Sequence, residues 1–221
     1  MFSIKESVKY GWQKTKANFW KAAALVAIAA VPSFIVSIFD SAMQDTESLA
    51  SDIVLGILIV AVNIASIIIG IGIMKMFLRI NEGENPPVKE IFSAYGVFWK
   101  YLGTSILYGL IVVGGLILLV VPGIIWAIKY SFATLIVVDT QSGPIKALKE
   151  SGNITKGSKW KMLGLAIISV IMVIVGYAVL FVGALVTIPI SSFAWIYVYR
   201  TLSKAKAGVS DTPAPVSPQV A

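Results

Sequence analysis

Apolar residues run almost uninterrupted over 21–39, 53–74, 101–121, 124–138, 162–182 and 184–199, with short polar stretches between them. About 20 apolar residues cross a bilayer, and in lipid a lone segment must be helical because every backbone group needs an internal partner. The pattern predicts an all-α integral membrane fold with about six transmembrane helices. Five is the other count considered, because the fourth run is short and little more than Gly183 divides the last two. Residues 1–203 read as one membrane domain. The segment 204–221, rich in Lys, Ala, Ser and Pro, cannot bury an apolar face and reads as a disordered cytoplasmic tail.

Charge orients these spans. The stretch from Asp40 to Asp52 holds Asp40, Asp45, Glu47 and Asp52 but no lysine or arginine, and the Val121-Pro122-Gly123 turn and the Gly183 region are also free of cations. Lys5 to Lys21, Lys75 to Lys100, Lys146 to Lys161 and Arg200 to Lys206 hold 17 of the 18 cationic residues. The positive-inside rule then places both termini in the cytoplasm, which requires an even number of spans and favours six. The expected location is the cytoplasmic (inner) membrane, crossed several times.

A motif recurs before the first, third and fifth runs: Ala17-x-x-Trp20-Lys21, Gly96-x-x-Trp99-Lys100 and Gly157-x-x-Trp160-Lys161. Lys9, Thr15 and Lys16 also fall where Lys149, Thr155 and Lys156 fall. Any span end favours Trp and Lys at the headgroup level, but a spacing shared over a dozen residues fits an internal repeat better. The expected architecture is pseudo-threefold: three helical hairpins, each preceded by a basic interfacial segment at about 3–19, 87–99 and 144–159. In the first segment Ile4, Val8, Trp12 and Phe19 share one helical face and Lys5, Lys9 and Lys16 another, so it is expected to lie in the membrane surface. Ser3 and Glu6 form a capping-box pattern, and Pro87 and Pro144 suit first helical positions.

Composition narrows the chemistry. The chain of 221 residues is 57% hydrophobic and 13% charged, with mean hydropathy +0.87 and no cysteine or histidine. Thiol chemistry, disulfides, Cys/His metal sites and a histidine-based triad are excluded. Ala27-Ile28-Ala29 resembles a signal-cleavage site, but the basic stretch before it is too long and the apolar run continues to Phe39, so it reads as part of a span. The net charge of +7 accompanies Trp at span ends, which points to anionic lipid headgroups at the cytoplasmic face rather than nucleic acid. Trp20, Lys21, Trp99, Lys100, Trp160 and Lys161 are the expected interfacial anchors.

Lys129 stands out as a charge within a span, where a cation is costly unless paired or wetted; the bland alternative has its stem snorkel to the outer surface. Asn63, in the second span, is a partner for Lys129 or a bridge between helices, and Asp139 completes the ligand candidates. Pro32, Pro122 and Pro189 could break helices, as in transporters, yet all eleven acids lie at span ends, in loops or in the tail. No catalytic residue, cofactor or metal is expected.

Val121-Pro122-Gly123, Lys129, Val137-Val138-Asp139, Gly143-Pro144, Ala147-Leu148-Lys149-Glu150-Ser151, Lys156-Gly157 and Trp160 resemble a family of uncharacterised prokaryotic membrane proteins of the YciC type. That family is related to the membrane domain of some bacterial glycerophosphodiester phosphodiesterases, and the resemblance spans residues 2–200. It implies a six-helix membrane module with a lipid connection and transfers no catalytic residue. Relatives tend to carry arginine in the fourth span where Lys129 stands, and lysine lacks the bidentate fork. The expected function is non-catalytic lipid handling or scaffolding, with protein partners or a homo-oligomer as further possibilities. A small permease with Lys129 in its pathway is the alternative, and an embedded enzyme ranks third.

Overall fold

The computed structural model describes residues 2–44, 48–179 and 183–208. Among these the elements are α1 (Ile4–Ala17), α2 (Phe19–Gln44), α3 (Leu49–Asn81), a 3-10 helix (Val88–Val97), α4 (Phe98–Leu118), α5 (Val120–Lys129), α6 (Ala133–Thr140), α7 (Pro144–Ile154), α8 (Lys159–Ala178) and α9 (Ala184–Lys206). Five stretches are long and apolar enough to cross a membrane: Phe19–Ser41, Ala50–Asn81, Val88–Leu118, Val120–Thr140 and Lys159–Ala178. The last long helix, α9, carries Thr187, Ser191, Ser192 and a basic end, and it is not among them. The expected tail falls mostly outside the described residues, except that 204–206 continue α9.

Several expected boundaries move. The chain reverses at Leu119, in extended conformation (φ −163°, ψ 144°), rather than at Pro122-Gly123. Pro122 sits in the first turn of α5, where a missing N–H goes unnoticed, and Gly123 lets that turn press on α4: a Cβ there would lie 2.5 Å from the Leu116 side chain. The fourth span is not one helix. It breaks at Tyr130-Ser131-Phe132, between α5 and α6. Ser3 caps α1 through its backbone alone, so the Ser3/Glu6 capping box does not form, while Pro144 opens α7 as expected and Pro87 is the N-cap of a 3-10 helix.

The three basic segments dock onto helices rather than simply lying in lipid. The buried stripe of α1 is Ser7, Gly11 and Thr15, spaced one turn apart, and it rests on α9. A Cβ on Gly11 would stand 2.3 Å from the Ile190 carbonyl oxygen, so the two backbones touch. Ile4 and Val8 only flank this contact, and Trp12 and Phe19 stay exposed, which corrects the expected apolar face. In lipid, apolar side chains gain little by leaving one apolar medium for another, so small residues that permit close backbone approach decide which face packs. Tyr10 adds a hydrogen bond to the Asn81 side chain (2.8 Å), and burial, with Tyr197 beside it, pushes its hydroxyl up to about 12 and keeps it a donor. The 3-10 helix docks on α3 in the same manner: a Cβ on Gly72 would lie 2.0 Å from the Ile91 carbonyl oxygen. The third segment, α7, lies along α6 and buries Ala147, Leu148, Ser151 and Ile154.

Between these segments an aromatic core forms around Phe132 and Phe193, both essentially inaccessible. Phe77 meets Phe193 edge-on at 5.1 Å, and Phe132 contacts Trp195 and Tyr199 at 5.7 and 5.6 Å. At one end of this core Asp139 of α6 takes a two-pronged grip from Arg200 of α9, Nη1 to Oδ2 and Nη2 to Oδ1, both 2.8 Å. Tyr199 also donates to Oδ2 at 2.7 Å, and Arg200 pairs with Glu82 just past α3.

Two outcomes follow for stability in detergent. Gly11→Ala and Gly72→Ala should each lower the unfolding temperature, with overpacking costs of about 1–3 kcal/mol, whereas Gly109→Ala, with open space around it, should not. Asp139→Asn should cost roughly 1.5–3 kcal/mol through the lost charge-assisted bonds, and Arg200→Lys should fail to rescue the geometry because lysine cannot supply both prongs; thermal unfolding of each variant reads both.

Candidate functional site

The break after Lys129 is held by α7. The Lys129 carbonyl, an unpaired acceptor at the end of α5, receives hydrogen bonds from Ser151 Oγ (3.0 Å) and Thr155 Oγ1 (3.1 Å). Ser151 Oγ in turn accepts from the Phe132 backbone N–H at 3.2 Å, the first free donor of the next helix. One buried serine thus satisfies both sides of the interruption. Tyr108 of α4 donates to the Ala127 carbonyl at 3.1 Å and steadies the same turn of α5.

This arrangement carries the Lys129 side chain away from the Leu119 reversal and toward α7. Its ammonium lies 4.8 Å from the centre of the Tyr130 ring, a favourable cation–π distance. Gly152 makes room for the stem: a Cβ there would stand 3.1 Å from Lys129 Cε. The ammonium faces a cleft of about 610 Å³ bounded by Leu107 and Ile111 of α4, the end of α5, and α7 with the turn after it. Lys149, Lys156 and Lys159 line the same cleft. Lys129 therefore shares a cleft with the lysines of α7 and of the turn after it.

The other candidates are not brought to it. Asn63 is exposed on α3 and donates to the Ile59 carbonyl one turn back (2.8 Å), so it neither meets Lys129 nor bridges helices within the chain. Asp139 is committed to Arg200 and Tyr199. Of the anchors, Trp20, Trp99 and Trp160 are 83%, 78% and 81% exposed, a common outward attitude suited to an interface. Lys100 reaches the Gln141 carbonyl at 2.8 Å and Lys161 the Phe2 carbonyl at 3.5 Å, while Lys21 is half-buried. Among the described residues no group of His, Cys, Asp and Glu could hold a metal ion.

A second feature escaped the sequence. An open cavity of about 840 Å³ lies among α2, α3, α8, α9 and the 131–135 stretch, walled by Val26, Ile73, Phe77, Leu135, Val173 and Ile188. Its few polar groups are hydroxyls, including Ser33, Ser191 and Ser192; Ser192 bonds back to Ile188, while the buried Ser191 Oγ has no partner. Apolar walls with sparse hydroxyls suit a hydrocarbon chain. The local signal was the set of small residues Ala27, Ala29, Ala30 and Gly70, which leave space where larger side chains would fill it.

No family model matches the chain, and no solved structure matches it. It is similar to uncharacterized proteins of Mycobacterium tuberculosis and Mycobacterium bovis, each 26% identical over 246 aligned positions that take in 97% of this chain and 73% of the relative.

Proposed function

We propose that this chain is a non-catalytic lipid-handling module of the cytoplasmic membrane, and the observation that carries the reading is the 840 Å³ apolar cavity that opens between α9 and three helices long and apolar enough to cross the bilayer, α2, α3 and α8. A cavity of this size accepts much of one lipid chain, and its walls offer hydrocarbon contacts at little desolvation cost. The exposed Trp20, Trp99 and Trp160 and the basic segments beside them fit a module held at the cytoplasmic headgroup level. The resemblance to membrane proteins of the YciC type agrees with this role.

The same reading includes six spans with both termini in the cytoplasm, arranged as three hairpins, with α9 as the sixth crossing. Cyclic contacts support it. Each basic segment docks on the second helix of the hairpin before it: the 3-10 helix on α3, α7 on α6, and α1 on α9. The Gly103 and Pro144 contact and the Gly164 and Ile4 contact likewise join the first helix of one hairpin to the start of the next segment. Residues 140 positions apart, Ser7 and Ala147, Thr15 and Thr155, Ala22 and Met162, Leu25 and Leu165, are all buried.

Cysteines placed at Ser48 and Ala205, both exposed in a chain without native cysteine, should be labelled by impermeant reagents from opposite faces of the membrane. Labelling from the same face overturns the six-span arrangement. For the cavity, native mass spectrometry of the gently extracted protein should find retained lipid. Ala30→Trp, which fills the cavity, should reduce that retention about tenfold, the weight of roughly two buried CH₂ groups. Val31→Trp, on an exposed neighbouring position outside the lining, should retain lipid like the wild type. Undiminished retention in Ala30→Trp removes the cavity from the mechanism.

A further inference from the structure

We infer that the cleft between α4, the end of α5 and α7 is a binding site for a phosphate-bearing anion, with Lys129, Lys149, Lys156 and Lys159 as its cationic lining. This deepens the lipid-handling reading by naming a headgroup class, and it rests on that reading for a membrane source of the ligand.

Charge balance points to the ligand. Four lysines line one cleft of about 610 Å³, and no acidic residue lines it with them. Among the described residues none of the four ammonium groups has an ion pair or a hydrogen bond, Lys129 having only the Tyr130 ring beneath it. Glu150, the acid on α7 itself, does not line the cleft, and Asp139 at the end of α6 pairs with Arg200. Lys149 and Lys156 are exposed and Lys129 and Lys159 half-buried around this cleft; like charges gathered there repel one another, and a multivalent anion placed among them turns that repulsion into attraction.

The site is also built. Ser151 and Thr155 fix the Lys129 carbonyl, Gly152 leaves space for its stem, and Asn153 adds an amide at the rim. Leu107, Ile111 and Ile145 supply an apolar wall on one side of the lysines. A phosphate on a glycerol backbone satisfies both halves, since its oxygens meet the ammonium groups while the carbon chain lies along the wall. Lysines act as separate point charges rather than a planar fork, so the site reads charge and size more than a fixed oxygen geometry.

The test uses the full chain in neutral detergent, titrated with short-chain phosphatidic acid, short-chain phosphatidylcholine, glycerol 3-phosphate and inorganic phosphate, with bound species counted by native mass spectrometry. Phosphatidic acid should bind in preference to phosphatidylcholine. The pair Lys129→Gln and Lys156→Gln should weaken that binding roughly 30-fold, the weight of two interfacial lysines, while Lys204→Gln with Lys206→Gln, exposed at the end of α9 and outside the cleft, should leave it unchanged. Gly152→Val, which crowds the Lys129 stem without removing charge, should weaken it too. Displacement by glycerol 3-phosphate or inorganic phosphate assigns the site to the phosphate group itself, and lipid binding that neither displaces assigns it to the whole headgroup. Equal binding of both lipids, or full binding by the lysine pair, overturns the inference while leaving lipid retention in the apolar cavity intact. Phosphate binding without any retained lipid does the reverse.

Discussion

Helices surrounded by hydrocarbon gain nothing by hiding leucine from lipid, so what holds this chain together is the small set of places where one backbone touches another. Gly11 against Ile190, Gly72 against Ile91, and Gly123 with Gly115 at the α4–α5 reversal are such places. At each, a methyl group would intrude on a neighbouring backbone or side chain, and the dispersion contacts made at that range replace the hydrophobic term that soluble helices use. Everything else in the structure is positioned by these contacts. The direction of α1, the seat of the 3-10 helix and the tilt of α5 against α4 all depend on residues that contribute almost no side chain.

Polar groups complete the arrangement at sites where backbone contact cannot. The interruption between α5 and α6 exposes a carbonyl and an amide, and Ser151 serves both. The Asp139, Tyr199 and Arg200 cluster joins α6 to α9, with Glu82 adding the end of α3. These contacts are directional, so they fix the rotation of the helices they join, whereas glycine contacts fix only distance. The lysine cleft lies on the α7 side of the interruption and the apolar cavity on the other, so one three-residue stretch, Tyr130 to Phe132, borders both.

The sequence made the helical class, the apolar runs and the basic segments legible because each is a property of composition along a line. Trp20, Trp99 and Trp160, which the linear pattern sets at the ends of apolar runs, are all exposed. What it concealed depends on which face meets which. The stripe Ser7, Gly11 and Thr15 looks like a weak polar face beside Ile4, Val8 and Trp12, and only the proximity of α9 makes it the buried one. The interruption after Lys129 has no proline or glycine to announce it; Ser151, some twenty residues later, supplies the missing bonds. Asn63 invited a partner across the bundle, yet its own helix offered a carbonyl one turn away. The register that matches Lys9, Thr15 and Lys16 with Lys149, Thr155 and Lys156 also sets Ser7 and Gly11 against Ala147 and Ser151, so the small stripe is written in the repeat once it is followed past the charged positions.

The docking of α1 on α9 also sets an order of events during synthesis. The α1 segment leaves the ribosome well before the Ile190 and Ala194 surface that receives Gly11. Until α9 is made α1 lacks its main partner, and its exposed Trp12 and Phe19 with Lys5 and Lys9 are the groups left to hold it against a lipid surface. Its exposed aromatic flank, idle in the finished packing, is thus a mooring for an unfinished chain, and the α1 contact closes only when α9 reaches it.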